Sequence, residues 1–155
     1  MPTPPRPDRK HPTHGVFIRP NAPTILFLTV CTHGRQPWLA TDENHALLRS
    51  VWTAATAWVV GRYVVMPDHI HLFAAPARPE LPLESWVKYW KSQFTKVHLV
   101  PEHRWETDHW DTRLRKGENY AAKWEYVWNN PVRHGLVRRA EDWPFQGEMT
   151  PLEWW

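Results

Sequence analysis

The chain has 155 residues and carries 19 Lys and Arg against 16 Asp and Glu, a formal charge of +3. That length suits one compact domain able to bury roughly 70% of the surface its unfolded form exposes, and no run approaches the ~18 apolar residues of a membrane span. A single cysteine excludes an internal disulfide and any Cys-rich zinc site, and the mild basicity permits a nucleic-acid partner without establishing one.

Residues 1–22 are rich in Pro, Arg, Lys and His and show no hydrophobic period. They read as a basic, Pro-rich arm laid along a partner or disordered, with residues 23–155 as a single domain. The opening MPTPPRPDRKHPTHG has no apolar core and so does not read as a secretory signal, which favours a cytoplasmic protein. From Thr24 to Thr32 a β-branched and aromatic run predicts a central strand, broken by His33-Gly34-Arg35-Gln36-Pro37. Thr41-Asp42 can cap a helix to about Ala57, with Leu47, Leu48, Val51, Ala55 and Trp58 on one face.

Two β-rich runs follow, Val59–Met66 and His69–Ala75, joined by Pro67-Asp68 as an antiparallel pair. A second helix is predicted over Pro82–Leu99. Its apolar stripe is Leu83, Trp86, Trp90, Phe94 and Val97, with Lys88, Lys91 and Thr95 on the solvated side. Residues 105–115 are ambiguous and could hold a short fourth strand. A third helix over about Glu118–Asn130 is stopped by Pro131. After it come Gly135 and a Trp143-Pro144-Phe145 anchor. The order β-α-β-β-α-β-α is an α+β fold: the ferredoxin-like βαββαβ antiparallel sheet, with an additional C-terminal helix. The twelve tryptophans serve first as core, although so many flat rings also offer surfaces for unpaired bases. Cys31 reads as a small buried residue.

Chemistry concentrates in two places. His69 and His71 alternate on a strand and so share one face, with Ile70 and Leu72 on the other; two imidazoles on one face can chelate a divalent ion. The tripeptide alone is more simply explained by two polar residues on an exposed sheet face. On the third helix, 3.6-residue spacing gathers Tyr120, Trp124, Val127 and Trp128 into a core stripe. Tyr126, Lys123 and Asn130 fall together on a flank outside it. Taken alone, Tyr126 there is a surface tyrosine.

The set MPDHIHLF, KYWKSQF, YVWNNPVRHGLV and DWPF resembles the HUH single-tyrosine transposases. More closely it resembles their branch associated with repetitive extragenic palindromic (REP) elements, over about Thr24 to Phe145. The resemblance implies that His69 and His71 are metal ligands, that Asn130 supplies a third ligand from the tyrosine helix, and that Tyr126 is the nucleophile. It implies cleavage and rejoining of single-stranded DNA near hairpins through a 5′-phosphotyrosine. Lys123 on the Tyr126 flank, and Arg6, Arg9 and Lys10 in the arm, are candidate DNA contacts. Asp68 either orients a ligand histidine or simply initiates its turn. Two imidazoles and an amide suit Mn²⁺, and Mg²⁺ is admissible because a phosphate brings its own oxygens. Relatives act as monomers or as homodimers. Two rival readings stand beside this one. In the first, a zinc-type hydrolase completes its site with His98, His103 or His109. In the second, a catalytically inactive domain binds hairpin DNA.

Overall fold

A computed structural model describes residues 24–77, 81–114 and 117–152. The arm, with Arg6, Arg9 and Lys10, lies outside the described residues. In chain order the elements are β1 (Ile25–Cys31), α1 (Asp42–Ala54), β2 (Trp58–Val65), β3 (His69–Pro76), α2 (Leu83–His98), β4 (Trp110–Leu114), α3 (Gly117–Trp128), the one-turn α4 (Asn130–Arg133) and β5 (Gln146–Glu148). The sheet order is β4-β1-β3-β2-β5 with every neighbouring pair antiparallel. This is the expected split βαβ arrangement with one short strand added at the β2 edge.

Alternation along the strands divides the core in two. Leu26, Leu28 and Val30 of β1, with Ile70, Leu72 and Ala74 of β3, face α1 and α2. Ile25 and Phe27 of β1, Val64 of β2 and Phe73 of β3 face the opposite way and are covered by Tyr120 and Val127 of α3 together with Trp143. Helices therefore lie on both faces, and α3 covers the one that α1 and α2 leave open. The large rings serve mainly as filling: Trp52, Trp58, Trp86 and Trp90 are buried between α1, α2 and the sheet. Each such side chain contributes about 1.5–3 kcal/mol or more of transfer free energy.

Local chemistry explains the boundaries. Thr41 caps α1, its hydroxyl accepting the Asn44 amide at 3.1 Å. The helix ends at Ala54, short of the expected Ala57, because Trp58 and Val59 pair with Pro76 and Ala75 of β3. Trp58 is thus a strand residue and not part of the α1 stripe. On α2 the expected stripe holds as far as Phe94, but Val97 is 62% exposed because nothing among the described residues covers that last turn. Lys91, expected in solvent, is half-buried: its ammonium donates to the Glu106 and Thr107 carbonyls at 2.8 and 3.3 Å and ties α2 to the segment before β4.

The third helix also departs from expectation. It ends at Trp128, and Asn130 opens α4 with Pro131 in the first turn, where a missing N–H costs nothing within the helix. Gly135 follows with φ of 72°, and the Leu136 amide reaches back to the Pro131 carbonyl at 2.9 Å, a closure that a left-handed residue permits. Trp143 then anchors the tail, its indole N–H donating to the Val65 carbonyl at 3.0 Å.

Candidate nucleic-acid cleavage site

The β3 alternation puts His69 and His71 on the sheet face that α3 covers, and the β1 register sets Cys31 opposite His69 and Thr29 opposite His71. Their Nε2 atoms stand 3.2 Å apart. Each ring is held from behind. His69 Nδ1 donates to Asp68 Oδ1 at 2.7 Å, and His71 Nδ1 lies 3.0 Å from the Thr29 hydroxyl while its ring stacks on Phe27 at 5.3 Å. An ionised carboxylate can only accept, so the proton of His69 stays on Nδ1 and its Nε2 presents a lone pair.

The charge around this pair is largely positive. Burial first, then the neighbouring His69, Lys123, Arg133 and Arg35, hold His71 well below the usual imidazole value. Burial also lowers His69, outweighing the pull of Asp68. At neutral pH both rings are therefore neutral. Burial acts to raise the Asp68 carboxyl, but hydrogen bonds from His69 and Arg35 bring it below its ordinary range.

Asn130, only 5% exposed, brings its amide nitrogen to 3.4 Å from His69 Nε2. Tyr126 is 56% exposed on the outer flank of α3. Arg133 joins the two. One guanidinium nitrogen donates to the Tyr126 carbonyl at 2.6 Å, another to Asn130 Oδ1 at 3.3 Å, and its carbon lies 3.8 Å from the Tyr126 ring centroid. A continuous line of contacts thus runs Tyr126–Arg133–Asn130–His69–His71. Lys123 sits 4.8 Å above the Phe27 ring that backs His71. A cleft of about 480 Å³ opens beside Tyr126 between β4 and α3, lined by Thr112, Arg113, Asn119 and Lys123 among others.

Arg35 and Arg133 were not assigned roles from the sequence. Arg35 reaches the site because Gly34 and Arg35 both adopt positive φ, 62° and 54°, in the turn after β1. Its guanidinium pairs with Asp68 at 3.0 Å and comes within 3.3 Å of His69 Nδ1. Arg133 was visible inside the motif that resembles the transposases, and its position there is the one signal that could have singled it out.

The other histidines stand elsewhere. His98 and His103 contact each other at 2.8 Å and stack on Trp38, on the α2 side of the sheet. His109 pairs with Asp111 at 3.1 Å. They do not complete the His69–His71 pair, and among the described residues no group of three or more His, Cys, Asp and Glu could hold a metal.

No family model matches the chain. A curated REP-associated tyrosine transposase of Escherichia coli K12 is 26% identical over 137 residues, covering 83% of this chain and 82% of that protein. A Haemophilus influenzae protein assigned to the same class is 28% identical over 58% of this chain and 62% of its own length. A solved structure of a REP-associated tyrosine transposase bound to a REP hairpin superposes with a TM-score of 0.72 at 25% identity, over 84% of this chain and 78% of that one.

The chain is a homologue of the REP-associated tyrosine transposases. The Escherichia coli relative and the solved structure each match more than four-fifths of the molecule. The proteins it resembles are transposases. No helix among the described residues is long and apolar enough to cross a membrane.

Proposed function

We propose that the chain is a metal-dependent, HUH-type single-strand DNA transposase that cleaves and rejoins DNA beside hairpins, with Tyr126 as nucleophile. The observation that carries this reading is the contact line from Tyr126 through Arg133 and Asn130 to the facing Nε2 atoms of His69 and His71. The structural relative was solved with a REP hairpin, which supports hairpin DNA as the partner.

The donor set fits a divalent ion. Two nitrogens each ~2.1 Å from one metal, at angles between square and tetrahedral, stand about 3.0–3.4 Å apart, and the observed separation is 3.2 Å. His69 and His71 would hold the ion through Nε2, and Asn130 through its amide oxygen once the amide turns over from the orientation in which its nitrogen faces His69, a set suited to Mn²⁺ and open to Mg²⁺. When bound, the ion would supply Lewis-acid polarisation of the scissile phosphate.

The remaining work falls to the chain's own residues. Tyr126 Oη bonds to phosphorus as the bond from phosphorus to the 3′ oxygen breaks; the phenolic proton ends on that oxygen as a free 3′-OH. The 5′ side stays on the protein as phosphotyrosine, and a 3′-OH can reverse the step with no external energy source. Arg35, Lys123 and Arg133 surround the His pair with positive charge where a phosphate must sit. Incubation with labelled single-stranded hairpin DNA and Mn²⁺ should give a covalent band on a denaturing gel. Tyr126→Phe should abolish the band while hairpin binding survives, since the exposed hydroxyl packs no core. A band persisting in Tyr126→Phe refutes the assignment.

A further inference from the structure

Tyr126 and Asn130 do not lie on one helix. The backbone of α3 stops at Trp128 and α4 begins at Asn130, so no continuous run of helical hydrogen bonds fixes one residue against the other. The break leaves carbonyls of the last α3 turn without intrahelical partners. The Tyr126 carbonyl is covered by Arg133 at 2.6 Å, while the Glu125 carbonyl keeps the Asn129 backbone N–H at 3.3 Å and also accepts the Asn129 side chain at 2.9 Å. Only Arg133 also crosses the break, through its 3.3 Å contact with Asn130 Oδ1 and the guanidinium lying 3.8 Å from the Tyr126 ring centroid.

We infer that Arg133 is the positioning residue of this site: its guanidinium spans the helix break and sets the Tyr126 ring in register with Asn130. The inference rests on the proposed role of Tyr126. The chemistry of the group suits the task. A guanidinium offers planar, divergent N–H donors and a flat face for an aromatic ring, so one side chain can hold a carbonyl, an amide and a ring together. A lysine has the charge and can sit over the ring, but as a compact ammonium it lacks the fixed fork. A partner placed even ~1 Å out of line can cost about 100-fold in rate.

The experiment compares Arg133→Ala, Arg133→Lys and Asn129→Ala with the parent, full-length and with Mn²⁺, in adduct formation on a single-stranded hairpin. Asn129→Ala removes a side-chain contact at the same helix end without touching the Tyr126 carbonyl, and so controls for local destabilisation. Expected are a kcat reduced about 10–100-fold in Arg133→Ala with KM little changed, partial recovery in Arg133→Lys, and parental kcat in Asn129→Ala. A second readout needs no DNA or turnover: the ring-carbon NMR signals of the four tyrosines, with Tyr126 assigned from Tyr126→Phe. Arg133→Ala should move the Tyr126 signal and leave Tyr63 in place; Asn129→Ala should move neither. The inference is overturned if Arg133→Ala raises KM alone, if Asn129→Ala loses kcat equally, or if the Tyr126 signal does not move. Failure of the proposed function looks different, because an adduct would then persist in Tyr126→Phe or be absent from the parent while the NMR response to Arg133→Ala remained.

Discussion

Removing the Asp68 carboxylate tests whether the tautomer of His69 is what makes the imidazole pair a ligand set. Asp68 Oδ1 accepts from His69 Nδ1 at 2.7 Å and keeps the proton off Nε2. In Asp68→Ala the nearest remaining group is the Arg35 guanidinium, already 3.3 Å from Nδ1. A guanidinium is a donor only, so it can bond this nitrogen only when Nδ1 is unprotonated. The proton then moves to Nε2, where it blocks the ligand position. Loss of a group that orients a metal ligand typically costs ~10–100-fold in metal affinity, equivalent to about 1.4–2.7 kcal/mol. The structure puts the expectation at the upper end, because the replacement neighbour enforces the wrong tautomer and does not merely leave the ring free. Removing that neighbour as well should bring the loss back toward ~10-fold, so Arg35→Ala partly rescues Asp68→Ala. Mn²⁺ titration of DNA-free protein, following free ion by electron paramagnetic resonance, measures all four members of the cycle. Unchanged affinity in Asp68→Ala, or no rescue in the double variant, refutes the reasoning.

Acid should destabilise the fold. Burial is the first cause lowering His45, His69, His71 and His98 below the ordinary imidazole value, so the unfolded chain takes up protons before the folded one. Their contribution is complete above the unfolded value of ~6.5 and is lost as pH falls from there through the lower folded values; a urea midpoint that holds or rises on acidification contradicts this. Trp143→Phe keeps most of the buried ring but leaves the Val65 carbonyl without its indole donor, which should lower stability by about 1–3 kcal/mol in urea unfolding. A smaller change means that the carbonyl finds another partner.

Much of the site was legible because it is local. A period of two on β3 was enough to place His69 and His71 on one face, and the Pro67-Asp68 turn placed the carboxylate next to them. What backs those rings was not legible: Thr29 and Phe27 arrive through the β1–β3 register, a pairing across more than forty residues that no local spacing encodes. Arg35 was hidden for another reason. The loop was readable as a break, but Gly34 alone signals a positive φ, and nothing marks the arginine after it as sharing that conformation.

Asn130 shows how a correct grouping can rest on the wrong geometry. Helical arithmetic put it on the flank of Tyr126, one turn on, which gives both residues the same exposure. The exposures are 5% and 56%. In a continuous helix residue 131 would donate its N–H to the Val127 carbonyl, and proline has none to give while its ring crowds that same carbonyl. The helix must yield before it, and it does so at Asn129, whose ψ of 2° departs from the helical value. The chain then turns inward, taking Asn130 toward His69 while Tyr126 stays outside beside the cleft. By sequence Pro131 is a stop signal. Its consequence is larger, since the break it imposes separates a buried amide from an exposed phenol that regular helix would have kept side by side.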